Sequence, residues 1–578
     1  MNLPFPPFRI PTPSRLMRQF NRRRLMVGLL ALGAVINLGR AVHLQVIHKD
    51  FLQDQGDERF LREVQVPASR GMILDRHGEP LAVSSPVDSV WAHPPTLQQH
   101  QDRVPQLARL LDWETPALKA RLERFGEREF VYLRRHLEPE LAAQVKAEDI
   151  PGIYLEREYR RYYPGAEVSA HLLGFTDVDE RGQEGLELAF DDWLKGIPGA
   201  KRIIQDRLGR VVENVESLAV PQPGRNLVLS LDRRIQYLAY RALKAAVIEH
   251  RAAAASAVVV DVSTGEILAL VNQPSANPND RRQLQPARLR NRAVTDVFEP
   301  GSTLKPFTVA VALESGAYTP STPVDTRPGW LRVGRNRVRD MHDYGLLDVT
   351  RVITKSSNVG TSMIALSLPM ERMWSLYTRL GFGRPTGIGL GGEQSGVLPH
   401  YTTWGEFEYA THSFGYGLSV NLLQLAQAYT VLAADGVRRP LTLLRRDGPA
   451  DQQQRVISAT TARQVRQIME TVVSQEGTAR RAVVPGYRVA GKTGTVHKIL
   501  DGRYAKDRYR ALFAGMVPAA NPRLVMVVVV DDPRGKHHYG GLVAAPVFSQ
   551  VMEGALRLLN VPPDQLPGVQ VRLAGGEG

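Results

Sequence analysis

An apolar segment near the N-terminus, bounded by arginines, is the feature that most constrains this 578-residue chain. Leu25–Gly39 contains no charged residue, and the apolar character resumes after Arg40 and continues through Ile47. The unbroken part is shorter than the ~20 residues that usually span a bilayer. The whole segment is long enough, because Arg40 can extend its side chain to the far headgroups. We therefore predict a transmembrane anchor over residues 25–47.

The flanking charges favour an uncleaved anchor and set its orientation. Residues 1–49 carry eight basic residues and no acidic one. A cleaved signal peptide is the main alternative, but no clear small-x-small cleavage site follows the apolar segment. A buried helix of a soluble protein fits the one-sided arginine cluster less well. The positive-inside rule makes residues 1–24 a cytoplasmic tail and places everything after residue 48 across the membrane.

Net charge and cysteine content exclude several classes of function. More than half of the net charge of +14 lies in the first 49 residues, so the remainder is only mildly basic. We therefore expect no nucleic-acid partner. The chain has no cysteine, which excludes a disulfide framework, a thiolate metal site and a cysteine nucleophile. This composition fits an oxidising compartment.

The length predicts two or three domains. Pro221–Gly224 is the best linker, because two prolines and a glycine cannot continue a helix or a central strand. The prediction is a domain of short strands and polar helices over 48–220 and a second domain over 225–562. Residues 563–578, which end in a glycine-rich sequence, are expected to be disordered.

The second domain has the pattern of an α+β fold. Asp232 can cap a helix with an apolar face from Ile235 to Val247. A β-hairpin is predicted from Ala257–Val260 and Ile267–Val271, and an amphipathic helix follows near residues 547–556. Three further strands are predicted, at Tyr487–Thr495, Ala511–Val517 and Leu524–Val530. Together they predict one antiparallel sheet of about five strands covered by helices.

Three short motifs in this domain suggest acyl transfer: Ser302-Thr303-Leu304-Lys305, Ser356-Ser357-Asn358 and Lys492-Thr493-Gly494. Each alone is weak, but their order and separation strengthen the joint prediction. If a helix begins after Pro300-Gly301, Ser302 and Lys305 share one face. Its free N–H groups can bind an oxyanion. Pro306 is compatible only if that helix starts close to Ser302.

The predicted nucleophile needs a base. A serine hydroxyl reacts poorly unless a neighbouring group removes its proton. Lys305 can do so if its pKa falls several units below about 10.4. A second cation would help, and Lys492 is the candidate. Ser356 is a plausible proton relay, and Asn358 a hydrogen-bond donor to Lys305 and to a substrate amide. The alternative for Ser356–Asn358 is an ordinary turn or helix cap.

Lys492 is predicted to project from a strand to which an extended peptide could add by β-augmentation. Lys492, Thr493 and Thr495 would then bind a terminal carboxylate. Gly494 would allow the substrate backbone to come close.

With these motifs the chain resembles a class B penicillin-binding protein, most like the division-associated (septal, penicillin-binding protein 3) branch of Gram-negative bacteria. The resemblance covers nearly the whole chain and is carried most specifically by three stretches, Phe298–Phe307, Lys355–Gly360 and Ala490–Thr495. Supporting stretches are Arg70–Gly78, Tyr162–Gly165, Glu184–Glu187 and Gly415–Gly417.

The resemblance implies a peptidoglycan D,D-transpeptidase with an elongated pedestal (a dimerisation-type domain) before the penicillin-binding fold. Ser302 would be acylated by the penultimate D-Ala of a stem peptide ending in D-Ala-D-Ala, and an amine of a neighbouring stem would resolve the acyl-enzyme. The backbone N–H groups of Ser302 and Thr495 would form the oxyanion hole. β-Lactams would acylate Ser302, and no metal or cofactor is implied.

The resemblance also implies a place and partners. The protein would sit in the inner membrane by one helix, with its catalytic domain in the periplasm at the division septum. A SEDS-type glycan polymerase and other division proteins would be its partners.

Three alternatives remain at this point. A β-lactamase or D,D-carboxypeptidase would share the motifs but needs neither the anchor nor the upstream domain. A bifunctional polymerase needs a larger module than residues 48–220. A catalytically silent scaffold would not need an intact Ser302, Lys305, Asn358 and Lys492.

Overall fold

The computed structural model describes residues 15–48, 61–205, 211–448 and 452–565. Its first helix covers Arg15–Val42 and continues as a π-helical turn over His43–Ile47. Among the described residues, Arg22–Ile47 is the one helical stretch long and apolar enough to cross a membrane, with a mean hydropathy of 1.9. A helix of this length spans about 39 Å, more than the ~30 Å hydrocarbon core of a bilayer. Residues 1–14 of the predicted tail lie outside the described residues.

The chain divides into two compact units, and the first contains the described parts of 1–67, 88–156 and 198–221. One antiparallel sheet of this unit has the order Leu61–Val66, Gly199–Gln205, Val211–Ala219. Strand Val131–Leu137 pairs antiparallel with residues 88–92 of strand Pro80–Ala92. The core of this unit lies between these two strands and helices Val104–Leu110, Thr115–Arg124 and Pro139–Ala147.

The second unit contains 68–87, 157–197 and the described part of 222–578. A five-stranded antiparallel sheet forms its centre, with the strand order Ile267–Gln273, Ala254–Asp261, Leu524–Asp531, Arg503–Val517, Ala490–Leu500. The predicted hairpin, the three C-terminal strands and the α+β class are confirmed. Every residue of the first two strands is buried, so other elements cover both faces there.

Helices cover this sheet. Helix Arg233–Glu249 begins as predicted, where the Asp232 side chain accepts a hydrogen bond of 2.9 Å from the backbone N of Arg234. Gln236 exchanges two hydrogen bonds of 2.8 Å with the backbone of Leu270 and so fixes this helix to the sheet. The other main helices are Lys305–Glu314, Val349–Lys355, Asn358–Leu366, Met370–Leu380, Glu406–His412, Leu422–Ala433, Ala459–Glu470 and Ala545–Leu558.

The compact units do not follow the boundary that the sequence suggests near residue 220, because 68–87 and 157–197 belong to the second unit. A buried ion network explains the difference. The carboxylate of Glu187 is fully buried and accepts hydrogen bonds of 2.7 Å from both Arg70 Nε and Arg161 Nε. Buried charges must be paired, so this network holds the two segments together within the second unit.

The start of the predicted disordered tail is packed in the second unit. The carboxylate of Asp564 accepts hydrogen bonds from the backbone N of Arg488 at 2.7 Å and of Ala520 at 3.2 Å. The expectation of disorder from residue 563 is therefore wrong for 563–565, because these hydrogen bonds order them. Residues 566–578 lie outside the described residues.

Candidate active site

Ser302 lies in the 3-10 turn Gly301–Leu304, directly before helix Lys305–Glu314. Pro306 therefore falls in the first helical turn, where its missing N–H leaves no intrahelical partner unpaired. Gly301 has a φ of +53° and donates its N–H to Gly415 O at 3.0 Å. The Ser302 hydroxyl makes no hydrogen bond with any residue that the structure describes, so it can meet a ligand.

Lys305 is fully buried beside this turn. Its Nζ donates to Ser356 O at 2.5 Å, to Asn358 Oδ1 at 2.7 Å and to Ser356 Oγ at 3.3 Å. Burial lowers the pKa of Lys305 to about 7, while the negative charge of Asp340 acts in the opposite direction. A large fraction of the amine is therefore neutral near neutral pH, as a general base requires.

Lys492 projects from the edge strand Ala490–Leu500 and is also fully buried. Its Nζ donates to Ser356 Oγ at 2.9 Å and to Thr493 O at 3.2 Å. Burial lowers the pKa of Lys492 well below its ordinary value, and the nearby charge of Lys305 lowers it further. Lys492 was predicted to help in lowering the pKa of Lys305 as a second cation. In the structure, burial is the cause that lowers the pKa of Lys305.

Ser356 connects the two lysines. It ends helix Val349–Lys355 in the left-handed region, with φ 60° and ψ 39°, a conformation that is uncommon for a residue other than glycine. Its hydroxyl lies within hydrogen-bond distance of both Nζ atoms. This is the position that a proton relay between the amines requires.

The second motif is also a helix cap, so the alternative interpretation of Ser356–Asn358 describes a real feature. Ser357 caps helix Asn358–Leu366 by accepting a hydrogen bond of 2.8 Å from Gly360 N. The Asn358 side chain accepts from Lys305 through Oδ1 and donates through Nδ2 to Arg339 O at 3.1 Å. The expectation that Asn358 donates to Lys305 is therefore wrong, because Oδ1 and not Nδ2 faces Lys305 Nζ.

The threonines of the edge strand make contacts within the domain. Thr493 Oγ1 lies 2.7 Å from Thr478 Oγ1. Thr495 Oγ1 accepts a hydrogen bond of 3.0 Å from Gly540 N. A hydroxyl that accepts in this way keeps its own proton for a ligand.

Gly494 has a structural reason to be glycine that the sequence analysis missed. A Cβ at this position would lie 3.1 Å from Thr303 Cγ2 and 3.2 Å from Pro300 O. The absent side chain therefore lets the edge strand approach the turn that carries Ser302. The two predicted oxyanion donors, the N–H groups of Ser302 and Thr495, lie on these adjoining segments.

Sequence reasoning missed Asp340. Its carboxylate accepts hydrogen bonds from Ser357 Oγ at 2.5 Å, from Asn358 N at 2.5 Å and from Val359 N at 3.1 Å. Asp340 lies in none of the recognised motifs, and no periodic pattern connects it to Asn358.

Glu299 was missed as well, although it stands inside the stretch 298–307. Its carboxylate accepts hydrogen bonds from Gly417 N at 2.7 Å and from the Tyr504 hydroxyl at 3.0 Å. Burial raises the pKa of Glu299. Its place three residues before Ser302 was the available signal.

The fold and this cluster define a serine acyl-transfer domain. The nucleophile precedes a helix, one buried lysine follows it by three residues, and a second lysine lies on the edge strand. A histidine base is absent from the hydrogen bonds that join these described side chains.

Comparisons with known proteins identify the family. Residues 255–553 match the penicillin binding protein transpeptidase domain, and residues 65–229 match the penicillin-binding protein dimerisation domain. Peptidoglycan D,D-transpeptidase FtsI of Escherichia coli K12 is 44% identical over 551 residues, which cover 94% of this chain and 93% of FtsI. The probable peptidoglycan D,D-transpeptidase PbpC of Pseudomonas aeruginosa is 43% identical over 542 residues, which cover 94% and 96% of the two chains.

A solved structure agrees with these relatives. Penicillin-binding protein 3 from Mycobacterium tuberculosis, complexed with aztreonam, is 30% identical and has a TM-score of 0.67. The match covers 86% of this chain and 98% of that one. The chain belongs to the penicillin-binding proteins, in the class B branch that contains the FtsI and PenA transpeptidases.

Proposed function

We propose that this protein is a serine-type peptidoglycan D,D-transpeptidase that cross-links stem peptides during septal cell-wall synthesis. The observation that carries the proposal is the buried hydrogen-bonded series Lys305, Ser356, Lys492, whose first lysine directly follows the turn that carries Ser302. Burial makes Lys305 a usable base near neutral pH. The relatives named as peptidoglycan D,D-transpeptidases support the same chemistry.

Acylation begins when Lys305 accepts the proton of Ser302 while Oγ attacks the carbonyl carbon of the penultimate D-Ala. The oxyanion that forms is bound by the backbone N–H groups of Ser302 and Thr495. Ser356 passes a proton to the nitrogen of the terminal D-Ala and takes up in its place the proton that Lys305 received. The C–N bond breaks, and D-Ala leaves with a neutral amino group. The product is an ester on Ser302.

Transfer to the second stem reverses these proton movements. An amine of a neighbouring stem attacks the ester carbonyl and gives a proton through Ser356 to Lys305. The Ser302 oxygen leaves and recovers its proton, and the new amide bond is the cross-link. Substrate binding uses the edge strand and the second motif. The terminal carboxylate of the donor stem is bound by Lys492, Thr493 and Thr495, and Gly494 keeps their strand close to the nucleophile. Asn358 presents its second Nδ2 hydrogen to the substrate amide.

β-Lactams resemble the D-Ala-D-Ala terminus and acylate the same serine. The solved relative complexed with aztreonam supports this proposal. A β-lactamase would release the penicilloyl group to water rapidly, so the lifetime of the penicilloyl-enzyme separates that activity from transpeptidation. A D,D-carboxypeptidase is separated by its product, because it transfers the peptidyl group to water, whereas a transpeptidase transfers it to an amine.

The first experiment is labelling of membranes that contain the full chain with a fluorescent penicillin. We expect a band near 64.2 kDa that is absent in Ser302→Ala and present in Ser315→Ala, a control at the far end of the same helix. Complementation by Ser302→Ala is the cellular test, and normal growth and septation without this serine would show a scaffold instead of an enzyme. Unlabelled wild-type protein that is folded would lead to the same conclusion.

For localisation, the proposal is an N-terminus in the cytoplasm and a catalytic domain in the periplasm at the septum. It is supported by the membrane-length helix and by the arginines before it. Protease added to intact spheroplasts should digest the domain after residue 48. Protection of that domain would contradict the proposed orientation.

For domain roles, the proposal is a pedestal over 48–220 and a transpeptidase domain over 225–562. The dimerisation-domain match at 65–229 supports the first assignment. The pedestal and anchor would recruit a SEDS-type glycan polymerase and other division proteins. The full chain with Ser302→Ala, expressed in membranes, should co-purify with such a polymerase, because the proposed contacts lie in the anchor and pedestal and do not need the acylated serine. Failure of this protein to retain the polymerase would refute the partnership.

A further inference from the structure

Asp340 follows the small hairpin formed by strands Trp330–Val333 and Asn336–Arg339. Its backbone N donates to Gly329 O at 3.0 Å, which fixes the end of the hairpin. The side chain is half-buried and turned toward the second motif. No other acidic side chain that the structure describes makes hydrogen bonds to residues 356–359.

The three donors to Asp340 belong to one helix start. Ser357 is the N-cap of helix Asn358–Leu366, and the N–H groups of Asn358 and Val359 are the first two of that helix. Such groups have no acceptor inside their own helix, and a negative charge there is favourable. The Ser357 hydroxyl lies 2.5 Å from the carboxylate, within the range of a charge-assisted O–H···O⁻ hydrogen bond.

This helix start carries the acceptors of Lys305. Asn358 supplies Oδ1, and Ser356, two residues earlier, supplies its carbonyl and hydroxyl oxygens. Arg339 O holds the Asn358 amide from its other side. Residues 339 and 340 therefore fix both the backbone and the side chain of Asn358.

We propose that Asp340 is a positioning residue for acyl transfer, which holds Ser356 and Asn358 where the amine of Lys305 needs them. The inference rests on the proposed transpeptidase function. Asp340 acts through these two residues, since its own hydrogen bonds are to 357–359. It also supplies the negative charge that faces the lysine pair.

The charged groups around Lys305 and Lys492 make the pKa of Lys305 a measurable test of the role of Asp340. Lys492 faces Lys305 from the edge strand, and Asp340 faces it from the hairpin. Tyr344 lies near Asp340, and burial together with this carboxylate raises its pKa. The charge of Asp340 favours the protonated form of Lys305, so its removal should lower the pKa of Lys305. An aspartate whose charge did not reach the lysine pair would leave that pKa unchanged when it is removed.

The test measures the second-order rate of acylation of the full chain, in detergent, by a fluorescent penicillin over a pH range that brackets 7. Asp340→Asn keeps one oxygen for the helix amides but removes the charge and the acceptor for Ser357. We expect the plateau rate to fall by about 10- to 100-fold, because small misplacements of reacting groups have effects of this order. The acid limb of the pH profile, where the acylation rate falls as the pH is lowered, should also move to lower pH.

Two variants complete the test. Asp340→Glu keeps the charge, so its acid limb should stay in the wild-type position while its plateau falls. Asp343→Asn removes a carboxylate from the same loop whose hydrogen bond is to Gly345 N, and both rate and acid limb should be unchanged.

The possible results are separable. A wild-type rate in Asp340→Asn, or a reduced rate with an unmoved acid limb, would overturn the inference. If the neutral variant does not fold, Asp340→Glu decides, and a wild-type plateau in it overturns the proposal. Absence of acylation in folded wild-type protein would refute the transpeptidase function itself.

Discussion

Lys305 and Lys492 share one hydrogen-bond partner, because Ser356 Oγ lies 3.3 Å from the first Nζ and 2.9 Å from the second. Both lysines are fully buried, and burial lowers the pKa of each. Two ammonium ions in such a site repel each other, so the pair favours a state with at least one neutral amine. The packing that buries Lys305 and makes it a base therefore also places Ser356 between the two amines as a proton relay.

The acylation rate should depend on pH through Lys305. The pKa of this lysine is lowered to about 7. Below that pH the amine is already protonated and cannot accept the proton of Ser302. The acylation rate should then fall by about tenfold per pH unit. Above it the rate should level off. Fluorescent-penicillin acylation rates at a series of pH values check this, and a rate that is constant from acid to neutral pH would contradict it.

Lys305→Ala should reduce acylation by about 10²- to 10⁴-fold, the usual contribution of a general base. Lys355→Ala is the control, because Lys355 directly precedes the Ser356-Ser357-Asn358 motif that Lys305 contacts, but its Nζ donates to Glu476 O instead. The control should acylate like the wild type. Circular dichroism of both variants should match that of the wild type, and rapid acylation by folded Lys305→Ala protein would refute the base assignment.

Local pattern was sufficient to predict the sheet. Ala257–Val260 and Ile267–Val271 are continuous apolar runs around a glycine-bearing turn, and Ala511–Val517 and Leu524–Val530 have the same character. Asp232 was recognised as a cap because a cap and its helix are adjacent in sequence. The buried pairing of Arg70 with Glu187, 117 residues apart, has no such local signal. For that reason the compact units could not be drawn from linker composition alone.

The sequence was sufficient to predict which residues form the site, but not the hydrogen bonds between them. Ser302, Lys305 and Lys492 were predicted from short motifs, since each lies in a distinctive local sequence. The direction of the Asn358 bond depends on Arg339, and the helix start depends on Asp340. Both contacts come from a hairpin that precedes the motif by some 18 residues. Only the folded chain brings that hairpin and the motif together.

Ser356 can be tested for chemistry and for backbone conformation separately. Ser356→Ala and Ser356→Gly both remove the hydroxyl between the lysines, so both should acylate slowly and to a similar degree. The φ of 60° suits glycine better than alanine. The glycine variant should therefore unfold at a higher temperature, by an amount that corresponds to about 1 kcal/mol. Equal melting temperatures, or normal acylation by either variant, would contradict this account.

Gly301→Ala should damage the site without a change in any catalytic group. A Cβ at this position would lie 2.3 Å from Val496 Cγ1, and the φ of +53° is strained for alanine. We expect slower acylation because the Ser302 turn must move away from the edge strand. Val496→Ala in the same chain removes the clashing atom and should restore part of the rate. Gly391→Ala is the control, since a Cβ there would meet nothing within 4 Å.

Glu187→Gln should destabilise the second unit strongly. The carboxylate is fully buried between Arg70 and Arg161, with both hydrogen bonds at 2.7 Å. The amide has one oxygen and directs an N–H toward the other guanidinium. Removal of one partner from a buried ion network typically costs about 3–5 kcal/mol, because the remaining charge stays buried without compensation. The melting temperature of the full chain should fall accordingly.

The control for Glu187→Gln is Glu79→Gln, which breaks the surface pair with Arg233. Those side chains are 55% and 51% exposed, and their atoms lie 3.0 Å apart. Water screens such a pair, so its loss should cost no more than about 1 kcal/mol. Both variants should acylate normally at low temperature, since neither residue makes a hydrogen bond to Ser302, Lys305, Ser356 or Lys492 among the described residues. A melting temperature for Glu187→Gln equal to that of Glu79→Gln would show that the buried network does not stabilise the unit.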